Sequence, residues 1–285
     1  MTPRTNPEKA RIALKLAYIG DRYHGFQIQS NAYAVETEIF ASLREAGIAS
    51  DITELREARY TRSARTDTGV HAFGQVIAFD TESGFGDLLP RIINSRLPDD
   101  IWVWAYADVP PGFNARKDAI SREYRYFLYD RGYNIDRMRE SAFILTGRHD
   151  FLNFTKARED TVRNIDRITI HKRTGFIAID VAAQSFLWNM VRRIVSALEL
   201  IGEGTRDRDW LWGLLNFADN ADVECQGPKP APAYGLVLRN VAFDGIEWIV
   251  DRYSKRRMKE VFSDMMVRHA TMKEIYLDSD SDSGL

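Results

Sequence analysis

Pro110-Pro111-Gly112 divides the chain into two stretches that carry the same kind of apolar spacing, and this repetition constrains the fold more than any single residue does. Proline lacks a backbone donor and glycine relaxes the chain, so the triplet marks a boundary rather than the interior of an element. Before it, Ile12, Leu14 and Leu16 alternate through residues 11–18 and predict a strand. Val35, Ile39, Phe40 and Leu43 recur at helical spacing and predict a helix ending near Gly47. A strand over 73–80, a helix over 87–97 with Pro90 in its first turn, and a strand over 101–107 follow. After the triplet the theme returns: a strand over 121–130, a helix over 137–145, and strands over 165–172 and 176–183 about a turn at Gly175. Then come a long helix over 186–201 stopped by Gly202, a helix over 207–217, a strand over 235–243 and a mostly helical stretch over 255–277. Strands and helices in this order predict an α+β fold with helices on one face of each sheet. The expected domains are 1–112, preceded by a flexible leader over 1–10, and 113–285, with a cleft between them as the default site.

Composition narrows the class. No apolar run approaches the ~20 residues that span a bilayer, and the first residues lack the apolar core of a signal peptide. The single cysteine, Cys225, can form neither an internal disulfide nor a cysteine-based zinc site, which fits a reducing cytoplasm. The net charge of −2 does not advertise nucleic acid, but its distribution does more than its sum. Arginines gather at 56, 59, 62 and 65, at 122 and 125, at 192 and 193, and at 252, 256 and 257 beside Lys255 and Lys259. Acid is partly set apart in the tail that begins at Asp278, which the composition predicts to be disordered. Without that tail the body of the chain is net positive. Such clusters suit a solvated face or a phosphate track.

One stretch carries chemistry. Residues 65–79 read Arg-Thr-Asp-Thr-Gly-Val-His-Ala-Phe-Gly-Gln-Val-Ile-Ala-Phe, a turn that leads into a strand. Arg65 and Asp67 are two apart and share a face if the backbone is extended. A carboxylate beside a guanidinium stays ionised, so Asp67 suits a nucleophile, although the same pair suits a structural turn cap. Tyr124 and Tyr126 share one face of the strand over 121–130 and Arg125 takes the other; both tyrosines also suit a core. Leu187, Met190, Val191, Ile194 and Leu198 form an apolar stripe, with Arg192 and Arg193 beside it. His71 has no second histidine at ligand spacing and is expected to be a hydrogen-bonded structural residue. Cys225 is expected in a loop without catalytic duty.

The stretch over 65–79 resembles the signature of the tRNA pseudouridine synthase A family, from which only Ala64, in place of a leading glycine, departs. Phe113-Asn114-Ala115-Arg116 through Arg122-Glu123-Tyr124-Arg125-Tyr126 resembles a second family motif, with Asn114 and Lys117 replacing the usual histidine and phenylalanine. Phe186 through Met190-Val191-Arg192-Arg193-Ile194 resembles a third. Tyr18 to Gln29, Asn94 to Ile101 and Tyr234 to Leu238 add weaker matches. The resemblance implies two ferredoxin-like lobes, akin to RNA-recognition motifs, that share an extended antiparallel sheet with a central basic cleft. It implies isomerisation of uridine to pseudouridine in tRNA, commonly at positions 38 to 40 of the anticodon arm, by a homodimer with no metal or organic cofactor. It makes Asp67 the nucleophile, Tyr124 the platform for the flipped uracil and the base near C5, and Arg192 the buried partner of Asp67. Arg65 would assist base flipping, Arg125 and Arg193 would bind substrate, and Leu236 would line the base pocket. Whether the carboxylate attacks C1′ or assists a glycal stays open. A non-catalytic RNA-binding protein on the same core is the alternative; a metal-dependent RNA phosphodiesterase built on Asp67, His71 and a further carboxylate is another.

Overall fold

The computed structural model of the protein describes residues 9–82, 86–216 and 227–279. Cys225, most of the acidic tail and all but the end of the expected leader lie outside the described residues; within that leader, Lys9 and Ala10 already belong to the first strand. Among the described residues ten strands join one sheet. In chain order they are β1 (Lys9–Tyr18), β2 (Thr61–Arg62), β3 (His71–Glu82), β4 (Ile101–Asp108), β5 (Ala119–Tyr129), β6 (Gly147–Asp150), β7 (Val162–Arg173), β8 (Phe176–Ala183), β9 (Leu236–Phe243) and β10 (Ile249–Val250). The helices are α1 (Val35–Glu45), α2 (Ile52–Glu57), α3 (Leu89–Asn94), α4 (Ile135–Ile144), α5 (Met190–Glu203), α6 (Arg208–Leu215) and α7 (Arg252–Ser279).

The strand order is β10-β4-β1-β3-β9-β5-β8-β7-β6, with β2 paired to β3. Every pairing is antiparallel except one: β3 and β9 run parallel, with His71 opposite Val237 and Ala72 opposite Leu238. That pairing joins the strands of the first half of the chain to those of the second. Gly74 permits it. A Cβ there would lie 2.5 Å from the Arg239 carbonyl oxygen and 2.6 Å from Asn240 Cα, so only glycine lets the two backbones approach. Lys15 Nζ crosses the same junction to donate to Asn240 Oδ1 at 2.9 Å.

Alternation sets the core. Ile12, Leu14 and Leu16 bury with Ile39 and Leu43 of α1 and Leu89 and Ile93 of α3. Ala17, on the other face of β1, buries with Trp102 and Met258 of α7 in a separate small cluster. Helices therefore lie on both faces of the sheet, where one face was expected.

Two boundaries in the second half also differ from expectation. The helix anticipated from Phe186 begins at Met190, because Asn189 is left-handed at φ 61° and a right-handed helix cannot run through it. The same helix continues past Gly202 to Glu203 and ends on Gly204 at φ 82°, whose N–H reaches back to Ile201. Gly202 has a different duty: a Cβ there would lie 2.9 Å from Met138 Sδ and 3.1 Å from Tyr133 Cβ, so its absence lets α5 pack on α4.

Substituting Gly74 by alanine drives a methyl group into the backbone of β9. Gly74→Ala is expected to destabilise the fold by about 1–3 kcal/mol, read as a lower urea midpoint at unchanged m-value; a midpoint equal to that of the unaltered protein would contradict the close approach.

Candidate active site

The segment before β3 is irregular, and four sets of bonds hold it. Gln75, fully buried on β3, does the most. Its Oε1 accepts from Ser63 Oγ at 2.7 Å and from Ala64 N at 3.1 Å, and its Nε2 donates to the Ala64 carbonyl at 2.9 Å. Arg122 of β5, 8% exposed, donates Nε and Nη2 to the Ser63 carbonyl at 3.0 and 2.7 Å. Its Nη2 also reaches the Arg116 carbonyl at 2.8 Å and its Nη1 the Gln184 carbonyl. Tyr18 and Thr66 share a buried hydroxyl–hydroxyl bond of 2.7 Å, and Phe26 N donates to the Thr66 carbonyl at 3.1 Å. Last, Val70 N closes a turn onto the Asp67 carbonyl at 3.1 Å, with Gly69 at φ 77°. The carbonyls of Ser63, Ala64, Thr66 and Asp67 are thus bonded within the protein, and the Asp67 side chain is left to face a cleft.

The cleft measures about 810 Å³, and its walls include Arg65, Asp67, Tyr124, Trp188, Arg192 and Leu236. Five of these were expected there from sequence. Asp67 is half-buried. Its Oδ2 lies 3.6 Å from Arg192 Nη1 and its Oδ1 accepts from Trp188 Nε1 at 3.1 Å. Burial pushes the carboxyl above the ordinary aspartate range, and the Arg192 charge and the two donors only partly oppose it. Arg192 makes no forked bond to this carboxylate. Its Nε is spent on the Ala231 carbonyl at 2.6 Å and its Nη1 also reaches Asn189 Oδ1 at 3.0 Å, which leaves one long contact for Asp67.

Tyr124 is 8% exposed, and Phe186 meets it edge-on with ring centroids 5.3 Å apart at 86°. Burial pushes its phenol well above the usual range, with Arg122 opposing and Asp67 adding to the rise, so it is neutral at pH 7. Tyr126 lies under Gly235, where a Cβ would come within 2.5 Å of its Cζ; it packs and does not line the cleft. Leu236 is buried opposite Tyr126 and closes the cleft floor. Arg65 is exposed at the rim and has no hydrogen-bond or ion-pair partner among the described residues. Burial and the neighbouring charges of Arg62 and Arg116 push its guanidinium below its usual range.

Two expected substrate-binding residues are elsewhere. Arg125 makes a two-pronged pair with Asp180, Nε to Oδ1 at 2.6 Å and Nη2 to Oδ2 at 2.7 Å, on the sheet face away from Tyr124. Arg193 is turned from the cleft; its Nη1 donates to the Pro228 carbonyl at 2.9 Å and contacts that of Gly227 at 3.4 Å. His71 is structural as expected. Its Nδ1 accepts from Gly20 N at 3.0 Å, so the ring proton sits on Nε2 and is donated to the Tyr234 carbonyl at 3.0 Å. Both ring nitrogens are occupied.

Sequence reasoning missed Gln75, Arg122 and Trp188 as site-building residues. A glutamine inside an apolar strand and an arginine among buried tyrosines were the available signals, since a buried polar side chain needs a partner. Trp188 is 55% exposed, unusual for an indole beside an apolar stripe.

A family model described as tRNA pseudouridine synthase matches residues 142–244. A relative named tRNA pseudouridine synthase A from Methanosarcina mazei is 48% identical over 268 residues, covering 93% of this chain and 97% of its own. One of the same name from Archaeoglobus fulgidus is 37% identical over 269 residues, covering 93% and 96%. Among solved structures, the archaeal box H/ACA Nop10–Cbf5 complex aligns at a TM-score of 0.30 and 11% identity over 66% of this chain and 43% of that one, a likeness too slight to bear on the fold.

Arg122→Met leaves the carbonyls of Ser63, Arg116 and Gln184 without their donor. A stability loss of about 1–3 kcal/mol is expected in urea unfolding, the cost of leaving the carbonyl of buried Ser63 without its donor, since Arg116 and Gln184 are exposed. A loss below about 1 kcal/mol would mean that the segment is held without it.

Proposed function

The chain belongs to the tRNA pseudouridine synthase A family, and from that premise we propose that it isomerises uridine to pseudouridine in tRNA with Asp67 as the nucleophile. The observation that carries this reading is a half-buried carboxylate rigidly presented to a cleft with an aromatic wall, Tyr124, and a cationic partner, Arg192. The reaction breaks the bond from N1 of uracil to C1′ and joins C5 to C1′. The hydrogen on C5 leaves as a proton and N1 takes one up, so no redox partner is needed. In this reading an oxygen of Asp67 bonds to C1′ as uracil departs, and is expelled again when C5 attacks. The flipped base stacks on Tyr124 and against Leu236. A neutral phenol takes the C5 proton only as its own hydrogen is passed on, so Tyr124 serves as a relay rather than as a standing base. Arg65, unpartnered at the rim beside Arg62 and Arg116, suits the phosphates flanking the extruded nucleotide.

Arg125 and Arg193 are not part of the proposed site, because both guanidinium groups are already engaged. The family resemblance supports the finer points: ferredoxin-like lobes over 1–112, which carries Asp67, and 113–285, which carries Tyr124 and Arg192; work in the cytoplasm as a homodimer; and target uridines at positions 38 to 40 of the anticodon arm.

The test uses an unmodified tRNA transcript with tritium at C5 of uridine. The unaltered protein is expected to release tritium, equally with and without EDTA. Asp67→Asn is expected to lower the rate by about 10³-fold or more and Tyr124→Phe by about 10²–10⁴-fold. Because Asp67 must be ionised and burial raises its pKa, the acid limb of the rate is expected above the ordinary aspartate range near ~3.9. Release by Asp67→Asn at the unaltered rate would overturn the nucleophile. Tight tRNA binding without release by the unaltered protein would favour a non-catalytic RNA-binding role.

A further inference from the structure

Both oxygens of Asp67 are held from one short stretch, Trp188 to Arg192. Left-handed Asn189 turns the chain immediately before α5. Trp188 therefore leaves the helical register of the apolar stripe, and its ring stands at the mouth of the cleft instead of on the sheet. Lys156 Nζ lies 5.5 Å from the ring centroid, bracing one face, while the indole N–H points at Asp67. Trp188 also lines a second hollow of about 450 Å³ beyond Asp67, whose walls include His24, Gln27, Gln29 and Thr68. The indole is thus part of a partition between the two spaces, with Asp67 at its edge.

We propose that Trp188 is a positioning residue for Asp67: its indole N–H ties down Oδ1 and so presents Oδ2, on the Arg192 side, to the cleft. This inference rests on Asp67 being the nucleophile. The final torsion of an aspartate side chain is broad, and rotation about it interchanges the two oxygens. Arg192 alone, at 3.6 Å and bonded to Ala231 and Asn189, is a weak lock. A directed donor on the other oxygen removes that freedom before substrate arrives, which is where an oriented nucleophile gains rate. The donor is neutral, so it favours the ionised carboxylate without adding a second cation beside a polyanionic substrate. It also assists departure of Asp67 from C1′, because the bond strengthens as the carboxylate regains its charge.

Other groups that face Asp67 remain when Trp188 is changed: Arg192 from α5, Tyr124 from β5, Arg65 two residues before it, and His24 across the second hollow. Lys156 loses only its ring contact. Loss of the indole donor therefore shifts Asp67 in one direction, upward, since that bond is among the influences that lower it.

The experiment measures single-turnover tritium release from C5-labelled tRNA against pH, and tRNA affinity in parallel, for the unaltered protein, Trp188→Phe and Asp67→Asn. Circular dichroism and the urea midpoint check folding. Trp188→Phe keeps an aromatic ring and loses the indole N–H together with the five-membered ring that carries it. It is expected to bind tRNA within about twofold of normal and to react about 10- to 100-fold more slowly, the size of a hydrogen bond to a charged group. Its acid limb is expected to move to higher pH, which a merely structural role would not produce. An unaltered rate and acid limb would overturn the proposal, as would weaker binding at unchanged rate, which would make the indole a surface for RNA. An inactive Asp67→Asn beside a normal Trp188→Phe sinks this inference alone; an active Asp67→Asn sinks the nucleophile reading with it.

Discussion

The hydrogen bonds that pin residues 63–67 are what the rest of the site depends on. Gln75 reaches Ser63 and Ala64 from within β3, and Arg122 reaches Ser63 from β5. The two strands come from opposite halves of the chain and are separated in the sheet by β9 alone. Any shift between the halves would therefore pull on the loop that carries Asp67. The close β3–β9 approach at Gly74 resists that shift just beyond the loop. Fold and site share one mechanical element, a junction whose packing fixes a side chain.

Electrostatics around Asp67 follow from the same placement. Burial in a cleft raises the carboxyl, and one long contact with Arg192 and one neutral donor do not fully offset it. A tight forked ion pair would have held the carboxylate lower and also made it a poorer nucleophile, with both oxygens engaged. The looser arrangement leaves a group that is less stabilised before substrate arrives and more available to carbon. Arg125 and Asp180 provide the contrast within the same sheet: two short bonds, a closed pair and no access to the cleft.

Much of this was legible in the sequence, and the misses have physical causes. Alternation in β1 and the apolar spacing of α1 made the first half readable, because each buries one face only. The three motifs brought Asp67, Tyr124 and Arg192 to one cleft although they are far apart in the chain. The parallel β3–β9 pairing was not readable from periodicity, since a pattern of period two fixes a strand's faces and not its neighbour. The start of α5 was misjudged because the apolar stripe begins at Leu187, while the left-handed Asn189 that breaks the helix has no hydrophobic signature. That Arg125 and Arg193 would lie away from the cleft was not readable, because a basic residue beside a motif residue carries no sign of the carboxylate or carbonyl that will claim it. Trp188 carries no mark in the sequence of the carboxylate that it bonds.

The most direct test of the pinned loop is single-turnover pseudouridine formation by Gln75→Met, measured beside tRNA affinity under conditions where circular dichroism reports a folded protein. The substitution removes the three bonds to Ser63 and Ala64 from a side chain that does not itself line the cleft. If the pinning orients Asp67, the rate falls about 100-fold, as small misplacements of a reacting group do, while tRNA binds within about twofold of normal. An unchanged rate, with faster amide exchange at Ser63 and Ala64 proving the loop released, would contradict the account.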